Sequence, residues 1–255
     1  MKNALLIVNP NAGSFSNLDL DEVKDKFKIK HIALSIVKTK RMGDGVSIAK
    51  KSVCKYDFVI AAGGDGTINE VINGIAQGKN TKACFGFIPL GTENLLAQVF
   101  GISLDNAVDV ILKGKTKLID LGKTKGRFFV LMAGIGFDAH IASVMEKKPL
   151  FKYLLGSGAY MLTAVDELFN YEPSEITVQS GKRKVKGYFV IVSNTKYYGG
   201  MIEVAPKASM INGVLDVCVF QNKDVFSMIK YAFSAPFGMH TSLSDVVYFK
   251  TKQTN

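Results

Sequence analysis

No stretch of this chain approaches the ~20 consecutive apolar residues that a membrane-spanning helix requires. Its most apolar runs, such as 128–135 and 188–192, are far shorter. The N-terminal run 4–8 is also too short for the core of a secretory signal, and it leads straight into Asn9-Pro10. A cytoplasmic protein is the expectation. Cysteine is scarce: Cys54, Cys84 and Cys218 are odd in number and far apart, with neither CxxC spacing nor a histidine beside them. That argues against zinc and against a disulfide framework, and the three read as buried free thiols. His31, His140 and His240 are scattered and read as structural or exposed rather than catalytic. Internal repeats and low-complexity linkers are lacking too.

What is present describes a folded globular protein. The 255 residues are 47% hydrophobic and 21% charged, with a mean hydropathy of +0.16, which excludes disorder. A chain of this length buries roughly 70 to 75% of its unfolded surface and suits one large domain or two small ones. Two are expected, 1–120 and 121–255.

Basic residues outnumber acidic ones by 32 to 22, and the excess of +10 is spread over both halves. The densest cluster, Lys182, Arg183, Lys184 and Lys186, follows Ser180-Gly181 and reads as a solvated hairpin tip. A single tip does not supply the interleaved basic and aromatic surface that nucleic acid demands, so no nucleic-acid partner is expected. Diffuse positive charge fits an anionic membrane surface better, at about 1 kcal/mol per Lys or Arg near the headgroups. Charge that serves solubility alone fits the composition equally well.

Short apolar runs at 4–9, 32–37, 57–62 and 84–89 alternate with helical patterns at 18–27, 45–54 and 67–76. In the last, Ile68, Val71, Ile72 and Ile75 recur at helical spacing. This alternation predicts an α/β N-terminal domain with a doubly wound, mostly parallel sheet. Two more helices are expected, at 94–100 and from Ser103, a candidate cap, to Gly114. Beyond Lys115 strands dominate. Runs at 117–122 and 127–133 flank a Lys125-Gly126 turn, and strands follow at 175–179, 185–192, 214–220 and 245–249. Helices are expected near 150–170 and at 224–233. The second half is therefore expected to be a β-rich α+β domain.

Ligands of open α/β sheets bind at the carboxyl ends of the strands, where this chain has three loops of interest. Asn9, Pro10, Asn11, Ala12 and Gly13 follow the first strand, a turn of small residues that reads equally well as an ordinary strand exit. Gly63-Gly64-Asp65-Gly66-Thr67 follows the third and opens a helix through Ile68, Asn69 and Glu70. Its glycines let a phosphate approach the backbone, and Asp65 places a carboxylate where metal or proton chemistry could use it. Pro89-Leu90-Gly91-Thr92-Glu93-Asn94 follows the fourth and repeats the arrangement. Neither the GxxxxGK[ST] nor the GxGxxG pattern is matched.

NPNAG (9–13), GGDGTINEVINGI (63–75) and IPLGTENLLAQVFGI (88–102) resemble the diacylglycerol and sphingosine kinase superfamily in its bacterial lipid-kinase branch, with an NAD-kinase-like fold. The likeness continues through LIDLG (118–122), AGIGFDA (133–139), GYFVIVSNTKYYGG (187–200) and EVAPKASMINGVLDV (203–217). GGDGT alone is shared with NAD kinases and phosphofructokinases; GTEN followed by LLA, and the APKA segment, single out the lipid kinases.

The resemblance implies a kinase that transfers the ATP γ-phosphate to a lipid hydroxyl such as that of diacylglycerol. By similarity, Asn9, Pro10, Asn11, Ala12, Gly13 and Thr39 would bind ATP with Gly63, Gly64, Gly66, Thr67, Ile68, Asn69, Glu70, Gly91, Thr92 and Asn94. Asp65 would be catalytic, organising Mg²⁺ or helping to deprotonate the hydroxyl. Residues 121–255 would form the other wall of the cleft, with acyl chains meeting apolar residues within 150–169. The family also implies a structural Mg²⁺ on an Asp-Gly aspartate and neighbouring carbonyls. Here those positions are Asn212, Ser209 and Val214, and the loss of the aspartate charge is expected to weaken the site. Peripheral association with a membrane is expected, and a homodimer is left open. The family's closing Asp-Gly-Glu motif, whose glutamate is assigned as proton acceptor, is not found after Leu243, so reduced activity is expected. Two alternatives follow: a non-catalytic nucleotide- or lipid-binding homologue, and a soluble-substrate kinase of the NAD-kinase type.

Overall fold

The computed structural model describes residues 2–78, 83–146, 163, 166–167, 172–199 and 202–254. These form two compact units, one of 1–118 with 123–130 and one of 119–122 with 131–255.

The first unit alternates strand and helix: β1 (Asn3–Val8), α1 (Leu20–Ile29), β2 (Ala33–Lys38), α2 (Asp44–Ser52), β3 (Phe58–Gly63), α3 (Asp65–Gln77) and β4 (Cys84–Pro89). Two further helices follow, α4 (Leu95–Phe100) and α5 (Leu104–Leu112), and then a small hairpin of β5 (Gly122–Thr124) and β6 (Arg127–Phe129). The four long strands are all parallel, in the order β2-β1-β3-β4. Because the chain turns one way from β1 to β2 and the other way from β2 to β3 and β4, right-handed crossovers place α1 on one face and α2 and α3 on the other. The strand order reverses between β1 and β3, so a crevice opens at their carboxyl ends.

Both faces of β1 are buried, which is why the run Ala4 to Val8 is continuously apolar. On one face Ala4, Leu6 and Val8 cluster with Ile60, Ala62, Ile88 and Leu90 beneath Val23 and Phe27 of α1 and Ala107 and Val108 of α5. On the other face α2 and α3 pack so closely that a Cβ on Gly74 would lie 2.4 Å from the Val46 carbonyl oxygen. Ser103 caps α5 as expected: its hydroxyl accepts the Asn106 N–H, and the Asn106 side chain accepts the Ser103 N–H.

The second unit is built on an antiparallel sheet of order β12-β11-β10-β7: β7 (Met132–Gly136), β10 (Phe189–Ser193), β11 (Leu215–Phe220) and β12 (Val246–Thr251). A separate hairpin pairs β8 (Ile176–Ser180) with β9 (Arg183–Gly187), and its turn carries exposed Lys182. Helix α6 (Phe137–Glu146) follows β7, and α7 (Val225–Ser234) lies between β11 and β12. Met228 and Tyr231 of α7 pack with Phe189, Cys218, Phe220 and Val246. The expected α/β half followed by a β-rich half is therefore the observed architecture.

Several expectations need correction. The run 185–192 is not one strand: Gly187 ends β9 and Phe189 begins β10 in another sheet, with Tyr188 donating its N–H to the Phe220 carbonyl at the corner. The segment 117–121 belongs to no strand, and β5 begins only at Gly122. Helix α6 was not anticipated, because its start follows directly on the AGIG strand. Cys54 is exposed and Cys84 half-buried, so only Cys218 is a buried thiol; burial pushes it up to about 12. Of the helix expected near 150–170, Thr163, Asp166 and Glu167 are helical, and the rest falls outside the described residues.

Candidate active site

In the first unit the predicted loops meet at the carboxyl ends of β1, β3 and β4. Asn9 continues the ladder by donating its N–H to the Ala62 carbonyl at 2.9 Å. Its side chain works in two directions: Nδ2 donates to Thr67 Oγ1 at 3.1 Å, and Oδ1 accepts the Asn11 N–H at 3.0 Å. The small-residue turn of Pro10, Asn11, Ala12 and Gly13 is thus tied to the first turn of α3, and a Cβ on Gly13 would meet open space. Gly63 is required by the same contact, because a Cβ there would lie 2.6 Å from Thr67 Oγ1. Thr39, just past β2, donates its N–H to the Val8 carbonyl at 2.8 Å and so sits beside the β1 exit.

Two glycines press the loops after β3 and β4 together. A Cβ on Gly91 would come 2.6 Å from the Gly64 Cα, and one on Gly64 would come 3.1 Å from the Gly91 Cα. The Asp65 carboxylate bridges the same loops: it accepts the Leu95 N–H at 2.9 Å and the Leu96 N–H at 3.2 Å. It therefore caps α4 from 30 residues away. Asn94, at φ +50°, folds back so that its Oδ1 accepts the Gly91 N–H at 2.8 Å and its Nδ2 donates to the Gly91 carbonyl at 2.7 Å. Gly66 and Thr92 are exposed, Ile68 is buried in the core face of α3, and α3 itself begins without a side-chain cap. Amides at such a start are a natural seat for phosphate.

Glu70 and Asn69 have other surroundings. Both Glu70 oxygens are taken by the start of α2, accepting the Gly43 N–H at 2.8 Å and the Gly45 N–H at 3.1 Å. Asn69 Oδ1 is buried with no hydrogen-bond partner. Sequence reading also missed Asn73, which grips the β5–β6 hairpin by donating to the Phe128 carbonyl at 2.7 Å and accepting its N–H at 2.8 Å. Asp44, the first residue of α2, accepts the Lys40 and Arg41 N–H groups at 2.9 and 3.1 Å. The Lys40 amide above all holds its carboxyl below the usual range.

The positions expected to hold a metal lie in the second unit, in the loop before β11. Asn212 Oδ1 accepts the Val214 N–H at 3.1 Å, so its side chain folds the turn. Asp120 clamps the loop: its N–H donates to the Met210 carbonyl at 2.6 Å, and its Oδ2 accepts the Gly213 N–H at 2.7 Å. Asp120 belongs to the LIDLG segment and was not singled out from the sequence. Among the described residues no cluster of three His, Cys, Asp or Glu side chains gathers anywhere. The Asp120 and Asn212 side chains thus bring oxygen, the donor type a hard divalent cation takes, to this turn, with Asp120 carrying the one formal charge.

Comparison with known proteins bears on both units. Residues 3–124 match the diacylglycerol kinase catalytic domain, and residues 132–255 match the YegS C-terminal NAD kinase beta sandwich-like domain. A diacylglycerol kinase of Bacillus subtilis (strain 168) is 31% identical over 99% of this chain and 85% of its own length. One from Staphylococcus epidermidis (strain ATCC 12228) is 28% identical over 100% of this chain and 81% of its own. The crystal structure of a diacylglycerol kinase from Bacillus anthracis str. Sterne superposes with a TM-score of 0.71 at 24% identity, covering 98% of this chain and 84% of that one, which speaks for the fold. With both domain matches and a 31%-identical relative covered over 85% of its length, the chain belongs to the bacterial diacylglycerol kinase family.

Proposed function

We propose that the protein transfers the γ-phosphoryl group of ATP to the hydroxyl of a membrane lipid of the diacylglycerol type. The observation that carries this reading is the coupling of the two glycine loops by Asp65 and by the Gly64–Gly91 contact, at the point where the sheet order reverses. Phosphoryl transfer asks a protein chiefly to position the phosphates and to stabilise the charge on the transferred group. The turn at Asn9 to Gly13, the start of α3 and the loop from Gly91 to Asn94 offer backbone amides for that purpose. The lipid oxygen forms a bond to the γ-phosphorus as the bond to the β-phosphate oxygen breaks; ADP leaves, and the hydroxyl proton passes to a base.

In this reading Asp65 acts by positioning. Its two oxygens already accept amide protons, so it fixes the loop of Thr92 against the start of α3, and its negative charge would help to hold Mg²⁺ bound with ATP. Mg²⁺, bound with ATP, would neutralise phosphate charge; a second ion would be held by Asp120, Asn212 and the carbonyls of Ser209 and Val214. The chain's diffuse excess of basic residues also suits peripheral contact with anionic lipid. The test is incubation with labelled ATP, Mg²⁺ and mixed micelles of diacylglycerol. Labelled phosphatidate should form with the parent chain and fall at least tenfold with Asp65→Asn. Equal labelling by parent and variant, or label on NAD and none on lipid, would overturn the reading.

A further inference from the structure

Helix α7 is apolar on two sides. Ser227, Met228 and Tyr231 turn inward and are buried. Phe226, Ile229 and Phe233, at i, i+3 and i+7, fall within one narrow stripe on the opposite side. They are 78%, 42% and 78% exposed, and the chain beyond the helix adds Phe237 at 74% and Met239 at 63%. Lone exposed apolar residues need no explanation, but a contiguous series of them does. Every exposed phenylalanine among the described residues lies in this one segment.

We propose that this stripe, Phe226, Ile229 and Phe233 continued by Phe237 and Met239, is the surface by which the protein docks on an anionic lipid bilayer. The choice of occupant rests on the lipid-kinase reading above; the existence of the surface does not. Charge argues for the bilayer. From Val225 to Ser242 the sequence has no Asp or Glu. The carboxylates flanking that segment are spent within the unit. Asp224 caps α7 on the Ser227 N–H and hydroxyl. Asp245 takes the Lys230 ammonium at 2.7 Å and the Tyr231 hydroxyl at 2.8 Å. Asp216 is held by the Tyr248 hydroxyl. Glu203 is half-buried, with its Oε2 3.5 Å from where a Cβ on Gly238 would stand. Exposed Lys223 stands at the amino end of the helix with its ammonium over the Tyr188 ring. A chain of formal charge +10 meets repulsion from its own copy and attraction from anionic headgroups. Ten helical residues cannot cross a bilayer, but they can lie in its interface with one face buried among the acyl chains.

The sequence contains no tryptophan, so one introduced residue reports from one place. Phe233→Trp probes the stripe, and Leu118→Trp, at a position 95% exposed in the other unit, is the control. Phosphatidylcholine vesicles with phosphatidylglycerol should shift the Phe233→Trp emission to the blue. Brominated acyl chains should quench it and leave the Leu118→Trp emission alone. Phe226→Ser with Phe233→Ser should lower the partition coefficient by roughly a hundredfold, with an unchanged thermal melting curve because both rings are exposed. Three results would overturn the proposal: no quenching at Phe233→Trp, equal quenching at both probes, or a blue shift without vesicles that grows with protein concentration. The last would assign the stripe to a second copy of the chain. Phosphorylation of a short-chain, water-soluble diacylglycerol separates the two readings. Turnover without vesicle binding sinks the docking surface alone, and vesicle binding without turnover sinks the kinase reading alone.

Discussion

The imidazole of His240 is fully buried. Its Nε2 lies 3.0 Å from the Val204 carbonyl oxygen, which assigns the proton to that nitrogen, and Nδ1 has no partner. Protonating Nδ1 would place a second N–H where nothing accepts it. Burial accordingly lowers the pKa below the ordinary imidazole value of 6.5, outweighing the bond to Val204. The unfolded chain then binds the proton more readily than the folded one. The stabilisation linked to His240 is complete above about pH 6.5 and is lost as the pH falls below it. Melting temperature should therefore decline on acidification through that range, and His240→Gln should flatten the profile; parallel profiles would show that His240 does not titrate in the way its burial demands. Gly91 is the other telling residue. Gly91→Ala forces a Cβ to 2.6 Å from the Gly64 backbone. The expected loss is about 1–3 kcal/mol in denaturant unfolding, with ATP affinity falling further than Gly13→Ala would make it fall, because Gly13 faces open space.

At the scale of elements, Glu70 links α3 to the start of α2. Glu70→Ala leaves the Gly43 and Gly45 amides without their acceptor. The expected cost is about 2 kcal/mol, with faster hydrogen exchange at residues 43–47 and little change at 65–68. Exchange that speeds up at both places alike would mean that Glu70 holds the phosphate loop rather than α2. The elements also show what the sequence could and could not convey. Strand and helix alternation in the first unit was legible because β1, β3 and β4 are short, apolar and ended by Asn9-Pro10, Gly63-Gly64 and Pro89. The corner at Tyr188 was not, because Val185, Phe189 and Val190 are buried in two different sheets yet lie close enough in sequence to read as one strand. Local periodicity carries burial; it does not carry which sheet does the burying.

For the whole molecule, the motifs and their order were enough to anticipate the fold and the family, since glycine positions and strand exits are local properties. The partners of the motif residues were not legible. Asp65 meets Leu95 and Leu96, and Asp120 meets Gly213, across separations of 30 and 93 residues, so only folding brings them together. That long-range wiring has a measurable consequence. On the proposed reading, ATP is held by amides at the strand exits and therefore binds the folded first unit and not the unfolded chain. At a hundredfold excess over Kd it should add about 2.7 kcal/mol to the stability of whatever unfolds with its site. Hydrogen exchange with saturating MgATP should slow at 9–13, 63–70 and 91–96 together, because the Asn9–Thr67 and Asp65–Leu95 bonds make these loops one structure. With Asp65→Asn, slowing at 91–96 should be lost while that at 9–13 persists. Loss at all three would instead place Asp65 in direct contact with the nucleotide, and undiminished slowing at 91–96 would mean that the carboxylate is not what joins the loops.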